Sequence, residues 1–195
     1  MRIYELIIDE TDIDNGIEAI SLVESPAIES DFVALSKDAP VRLAKADEEK
    51  RMLFGYALIP NKPIYRRNED DEYYIFFSSK TVERAAHQYL KQGNQANATL
   101  EHQDKISGVT VVESWLVTDP NNDKANSFAV DKPKGGEWAV LMKVDDDSLW
   151  EEYVKTGKVK GFSIEGYFSE KAKLAKAEEP NYKELAKSLI DEIRK

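Results

Sequence analysis

Residues 51–168 form a series of short apolar segments that are interrupted by glycine, proline or polar turns. Segments this short, with β-branched and aromatic residues, are typical of strands. The predicted strands are residues 52–59, 73–77, 98–102, 109–117, 137–144 and 161–168. Two predicted helices lie between them, at residues 80–92 and 147–156. Many short strands with two helices predict an α+β domain built on a mainly antiparallel sheet or a small β-barrel.

The segments on either side of this region have a different character. Residues 2–8 are typical of a short strand, whereas residues 12–37 have no clean period and indicate an extended or weakly ordered arm. Charged linkers follow at residues 38–50 and 171–179, and an amphipathic helix is predicted from Asn181 onward. We therefore expect three parts: an acidic N-terminal arm and linker, a central domain, and a linker with a C-terminal helix. Their ranges are residues 1–50, 51–170 and 171–195.

The charge is concentrated in the first of these parts. Residues 1–50 hold 13 acidic and 5 basic side chains, and the other 145 residues hold 24 and 22. A nearly neutral body with an acidic arm argues against a nucleic-acid-binding protein, which needs a basic face. The absence of cysteine excludes thiol nucleophiles and Cys-ligated zinc. No apolar run approaches the length of a membrane-spanning helix, so we expect no membrane partner.

Three residue types could carry chemistry. His87 lies off the apolar stripe of its predicted helix, and His102 ends a predicted strand. Glu113 lies on the alternating face of residues 109–117, where a carboxylate needs a specific partner or an edge strand that reaches water. Ser163 lies between Phe162 and Ile164, in a strand flanked by glycines. Ser, His and Glu are the components of an acyl-transfer triad, whereas each residue alone also suits a structural role. A glycosidase-type pair of Glu113 and Glu165 is a weaker alternative that no spacing supports.

Five stretches carry a resemblance to a known family: residues 15–29, 57–66, 99–102, 111–115 and 160–168. The most specific are Thr-Leu-Glu-His ending at His102, Val-Val-Glu-Ser-Trp around Glu113, and Gly-Phe-Ser-Ile-Glu-Gly around Ser163. On these stretches the chain resembles the tailed-phage prohead maturation proteases, specifically the XkdF-like phage serine proteases.

The resemblance implies a fold like that of herpesvirus assemblin, a small, mainly antiparallel β-barrel flanked by helices. It implies Ser163 as nucleophile, His102 as general base and no cofactor. The herpesvirus enzymes use a second histidine as third member, which His87 does not match, because it lies upstream on a helix. The phage relatives place an acid there. We expect Glu113, with Glu165 in reserve because it lies about 6.6–7 Å along the strand from Ser163.

The resemblance also implies a function. We expect a serine endopeptidase of phage head maturation that cuts scaffold and major capsid proteins, and itself, in the procapsid near the portal. Its location would be the cytoplasm of the bacterial host, within the procapsid, and an oligomer is possible. The hexapeptides at residues 43–48 and 174–179, Leu-Ala-Lys-Ala followed by two acids, could be self-cleavage sites that release a core of about residues 49–173.

Two other classes of function stay open at this point. A non-catalytic scaffold or adaptor protein of the procapsid could retain the protease fold. An unrelated binding domain with chance motif matches would place His102 and Ser163 far apart.

Overall fold

The computed structural model describes residues 2–9, 15–27, 33–35, 50–67, 72–128 and 132–170. The first six strands are β1 Arg2–Ile7, β2 Gly16–Val23, β3 Val33–Leu35, β4 Met52–Leu58, β5 Ile64–Arg67 and β6 Glu72–Phe77. The other six are β7 Ala98–Leu100, β8 Asp104–Ile106, β9 Val109–Leu116, β10 Trp138–Val144, β11 Gly161–Tyr167 and β12 Ser169–Glu170. The helices are α1 Ser79–Lys91 and α2 Asp147–Leu149, which continues as a π-helical turn over Trp150–Val154. Short 3₁₀ turns are Asn94–Ala96 and Lys124–Ser127.

The described strands form three four-stranded sheets. Their orders are β12-β1-β6-β5, β3-β4-β10-β9 and β11-β2-β7-β8. All pairings are antiparallel except β1 with β6 and β2 with β7. The α+β class and the mainly antiparallel pairing therefore agree with the sequence prediction.

The described strands do not show the predicted closed barrel. A closed barrel has no edge strand, whereas each of the three sheets ends in two edge strands. The chain changes sheet instead of closing one: β11 ends at Tyr167, and two residues later β12 pairs with β1. The sheets enclose a common apolar core whose largest fully buried side chains include Trp138, Trp150 and Tyr56.

The N-terminal segment contributes two internal strands. β1 lies between β12 and β6, and β2 lies between β11 and β7. β2 is buried at every position except Glu18. Of the two interpretations of residues 12–37, extended or weakly ordered, residues 16–23 fit the first, as an internal strand. A strand that is covered on both faces is apolar almost throughout, so it lacks the alternation that reveals a half-buried strand.

Helix α1 agrees with the predicted pattern. Val82, Ala85, Ala86 and Tyr89 are buried, and Tyr89 packs edge-on against Trp138 with ring centroids 5.3 Å apart.

No helix in the described ranges is long and apolar enough to cross a membrane. The predicted linkers at residues 38–49 and 171–179 and the predicted C-terminal helix lie outside the described residues.

Candidate active site

The sheet β11-β2-β7-β8 aligns three hydroxyl side chains. Ser163 on β11 is in register with Ser21 on β2, and Ser21 is in register with Thr99 on β7. Directly paired residues project from the same face of a sheet. The three side chains therefore form a row across three strands, and all three residues are buried, Ser163 with 8% of its surface exposed.

Glu165 lies on the same face as Ser163, two residues farther along β11. It is opposite Ala19 of β2, whose small side chain leaves room for the longer one to cross β2. The carboxylate accepts hydrogen bonds from the Thr99 hydroxyl and from His102. The distance between Glu165 Oε1 and His102 Nδ1 is 3.1 Å.

His102 occupies a tight turn between β7 and β8. The amide of Gln103 donates to the carbonyl of Leu100 at 3.0 Å, and both central residues have left-handed backbones, with φ of 51° at Glu101 and 58° at His102. Positive φ at both central residues is the signature of a type I′ hairpin turn. The predicted strand through His102 therefore ends two residues earlier, at Leu100.

Three hydrogen bonds attach this turn to β2 and the residues that follow it. The amide of Glu101 donates to the Leu22 carbonyl at 3.0 Å, and the amide of His102 donates to Ser21 Oγ at 3.0 Å. The Glu101 carboxylate in turn accepts from the amide of Glu24 at 2.7 Å. β2 therefore contacts the turn that carries His102 at one edge and pairs with β11, the strand that carries Ser163, at the other.

This arrangement has the parts of a general-base system. A carboxylate on Nδ1 favours the tautomer in which Nδ1 carries the proton and Nε2 is the basic nitrogen. The Ser163 hydroxyl has no hydrogen-bond partner among the described residues. A hydroxyl, an imidazole and a carboxylate that share one sheet face can perform nucleophilic catalysis.

Glu113 lies elsewhere. It is on β9 in a different sheet, where its carboxylate pairs with Lys124 and its side chain is 49% exposed. The Lys124 ammonium also lies 3.8 Å from the centre of the Trp115 ring. The structure therefore gives the contact with His102 to Glu165, the reserve residue, and not to Glu113.

A β-bulge explains the position of Glu113. Val111 is opposite Met142 and Glu113 is opposite Leu141, so Val112 is the extra residue. Because Leu141 and Met142 are consecutive, they project to opposite faces of their strand. The alternation that predicts one face for Val111 and Glu113 is therefore broken between them, and Glu113 reaches water beside Lys124.

A small cavity runs along the outer edge of β11. It has a volume of about 210 Å³, and its wall includes Ser163 and Ile164 of β11 together with residues of β1, β4, β5 and β6. Sites that hold whole small molecules are usually larger, about 300–1,000 Å³. A cavity of this size suits a single side chain.

His87 is exposed on α1 and does not line this cavity. No group of His, Asp and Glu in the described part of the chain could hold a metal ion.

Comparison with known families agrees with the resemblance seen in the sequence. A family model described as "Putative phage serine protease XkdF" matches residues 40–172, more than half of the chain. The chain belongs to this XkdF family. A relative from Bacillus subtilis (strain 168), named "Uncharacterized protein YqbD", is 27% identical over 124 residues. That alignment covers 64% of this chain and 34% of YqbD, so the chain spans about a third of that relative's length. No solved structure matches the chain.

The XkdF match contains Ser163, His102 and Glu165 but begins after β2. Ser21 and Glu24, which hold the histidine turn, therefore lie outside the matched range. Sequence reasoning missed both residues, as it missed Thr99 and Glu101. For Ser21 a signal existed, because it is a single hydroxyl inside the run Ala-Ile-Ser-Leu-Val. For the others nothing in the sequence indicated the contact.

Proposed function

We propose that this protein is a serine endopeptidase in which Ser163 is the nucleophile, His102 the general base and Glu165 the residue that orients the imidazole. The observation that carries the proposal is the 3.1 Å contact between Glu165 and His102 Nδ1 on the sheet face that bears Ser163. The family match to a phage serine protease supports the same assignment. Glu113 has no part in it, because its carboxylate is paired with Lys124.

The chemistry follows from these positions. Ser163 Oγ attacks the carbonyl carbon of the peptide bond while His102 Nε2 takes the hydroxyl proton. The imidazolium that forms is stabilised by the Glu165 carboxylate. It then gives the proton to the departing amine, and an acyl-enzyme ester remains on Ser163. Water, deprotonated by the same imidazole, attacks the ester and restores the serine.

The substrate can approach along β11. Among the described strands, β11 pairs only with β2, and we propose that a peptide in extended conformation adds to its other edge. A peptide that adds a strand there passes the Ser163 backbone and can place one side chain in the 210 Å³ cavity. An endopeptidase needs this kind of site, because it must bind an extended chain on both sides of the bond that it cuts.

The proposed setting is phage head maturation. Scaffold and major capsid proteins inside the procapsid of the bacterial host are the proposed substrates. The protein would also cut itself within the repeated hexapeptides at residues 43–48 and 174–179, and so convert a precursor into a core of about residues 49–173. Both hexapeptides contain an apolar residue that could enter the small cavity.

The serine is tested by its replacement. We expect Ser163→Ala to abolish the fragments that wild-type full-length protein produces from itself and from co-expressed scaffold protein, as seen by intact mass and gel analysis. A fluorophosphonate probe should label the wild type at one serine and leave Ser163→Ala unlabelled. Ser107→Ala is the matched control, because Ser107 is exposed in the turn after β8. Identical fragment patterns and no labelling in any variant would favour the non-catalytic scaffold or adaptor.

A further inference from the structure

Arg66 is a partly buried cation on β5 that has no anionic partner among the described residues. Its guanidinium donates one hydrogen bond, from Nη1 to the carbonyl of Tyr65 at 3.1 Å. No carboxylate among the described residues pairs with it, although its neighbour Arg67 pairs with Glu72 at 3.8 Å. Burial lowers the pKa of Arg66. A cation that loses water without gaining a counter-ion is costly, so a carboxylate that reaches Arg66 would relieve this cost.

Arg66 borders the cavity that contains Ser163. The other residues that line this cavity are uncharged and, apart from Ser163 and Gly166, apolar. Arg66 is therefore the one charged group among the described residues around the space next to the proposed nucleophile. A substrate that fills this space contacts the wall that carries both Ser163 and the Arg66 side chain.

The same residue connects this cavity with a larger groove. Arg66 and Ala27 line both, and the groove has a volume of about 1230 Å³. Among the described residues its wall also carries Lys62, Lys132 and Lys134 and one carboxylate, Glu137. That carboxylate accepts hydrogen bonds from the backbone amides of Lys134 and Gly135, at 2.6 and 2.8 Å. Cationic side chains therefore outnumber carboxylates in the part of the groove wall that the structure describes.

We propose that Arg66 binds a carboxylate of the peptide substrate, so that the protein selects sequences in which acidic residues accompany the apolar residue at the cleavage site. This inference rests on the proposed function, since it names the substrate class of the same site. An Arg–carboxylate pair is bidentate and strong, and the planar guanidinium recognises it better than an ammonium does.

The chain itself contains peptides of this class. Residues 43–49 read Leu-Ala-Lys-Ala-Asp-Glu-Glu, and residues 174–179 read Leu-Ala-Lys-Ala-Glu-Glu. Each places two acids directly after an alanine and within five residues of a leucine. We commit to these two segments as the occupants of the cavity and groove, in the precursor or in a neighbouring copy.

The experiment compares two peptides that differ only in charge. One spans residues 40–52 of this chain, and the other replaces Asp47, Glu48 and Glu49 by Asn and Gln. We expect wild-type full-length protein to cut the acidic peptide with a kcat/KM about 10 to 100 times that of the neutral peptide, the range of one charged hydrogen-bonded pair. Arg66→Gln should remove this preference, so that the variant cuts the two peptides with kcat/KM values within about twofold of each other.

Arg67→Gln is the matched control. It removes a guanidinium from the next position of β5, where the side chain is 73% exposed and already paired, so the acidic preference should persist. Arg66→Lys is a second variant that keeps the charge but loses the bidentate fork, and it should retain a reduced preference. Circular dichroism and thermal melts establish that each variant is folded.

A binding measurement separates the two levels of the proposal. Ser163→Ala protein should bind the fluorescently labelled acidic peptide more tightly than the neutral one, and the double variant Ser163→Ala/Arg66→Gln should bind both equally. Cleavage of both peptides at equal rates, or equal binding before and after the change at Arg66, would overturn the role of Arg66 and leave the peptidase intact. Selective binding of the acidic peptide without any cleavage by the wild type would support the role of Arg66 in binding and contradict the proposed peptidase activity.

Discussion

His102 is positioned by its backbone as much as by its ring. Left-handed φ at a residue other than glycine costs about 1–3 kcal/mol, and Glu101 and His102 both adopt it. Three hydrogen bonds from the turn to β2 and Glu24 offset this cost, at about 0.5–1.5 kcal/mol each. These hydrogen bonds therefore hold the two left-handed residues in the conformation that places the imidazole beside the carboxylate of Glu165.

The two glutamates give a direct test at this scale. We expect Glu165→Gln to lower kcat by about 10²–10⁴, because the amide can favour the wrong imidazole tautomer. Glu113→Gln should change kcat by less than about twofold, because it removes only an exposed pair with Lys124. Steady-state kinetics on one peptide measure both variants. An inactive Glu113→Gln beside an active Glu165→Gln would restore the assignment made from sequence.

Ser163 and His102 could be named as candidate site residues from the sequence because their local motifs are distinctive. The sequence named Glu165 only in reserve behind Glu113, and two physical reasons explain why it could not show which of them contacts His102. The bulge at Val112 depends on the pairing of β9 with β10, which local alternation does not reveal. The reach of Glu165 across β2 depends on Ala19 being opposite it, which only the sheet order determines.

At the scale of elements, β2 and β11 approach unusually closely at one end. A Cβ added to Gly166 would overlap the carbonyl oxygen of Gly16 and lie 2.8 Å from the Cα of Ile17. Backbone atoms cannot move aside as a flexible side chain can. The glycine therefore determines how near the serine strand lies to the central strand.

Gly166→Ala should consequently reduce both stability and activity. We expect a loss of about 1–3 kcal/mol from the overlap and a fall in kcat, because a displaced β11 carries Ser163 away from His102. Gly157→Ala is the control: it has a φ of 70° but nothing within 4 Å of the added Cβ, so it should cost stability alone. Urea denaturation and peptide kinetics distinguish them, and full activity in a destabilised Gly166→Ala would contradict the argument.

Element prediction succeeded where one face of an element is apolar, as in α1, and failed for β2. Seven of its eight residues are buried, so the strand carries no alternating signal. Its neighbours are also distant in sequence, since β7 and β11 follow it by about 75 and 140 residues. Pairing between strands this far apart in sequence produces no pattern in the local sequence of β2.

At the scale of the whole molecule, the α+β class followed from the series of short segments, whereas the way in which the sheets meet did not. The boundary predicted near residue 50 now has a structural meaning. It separates β1, β2 and β3 in sequence from the rest of the chain, although in space β1 and β2 are internal strands of two sheets.

Self-cleavage near this boundary should therefore leave a two-chain protein. We expect mass spectrometry of processed material to find new termini within residues 43–49 and 174–179, and the N-terminal fragment to copurify with the core through size exclusion. Urea should separate the fragments, because only non-covalent contacts join them. Termini at other positions would sink the self-cleavage sites, and loss of the N-terminal fragment under native conditions would contradict the role of β2 as a central strand.

The central place of β2 also bears on when the protein becomes active. β2 leaves the ribosome before β11, which carries Ser163 and pairs with it, and about 140 residues separate the two strands. At about 5–20 residues per second, synthesis of the intervening chain takes on the order of ten seconds. On the proposed assignment the nucleophile and its base cannot meet during that time. On this assignment a nascent chain cannot hydrolyse itself or its neighbours before β11 has been synthesised.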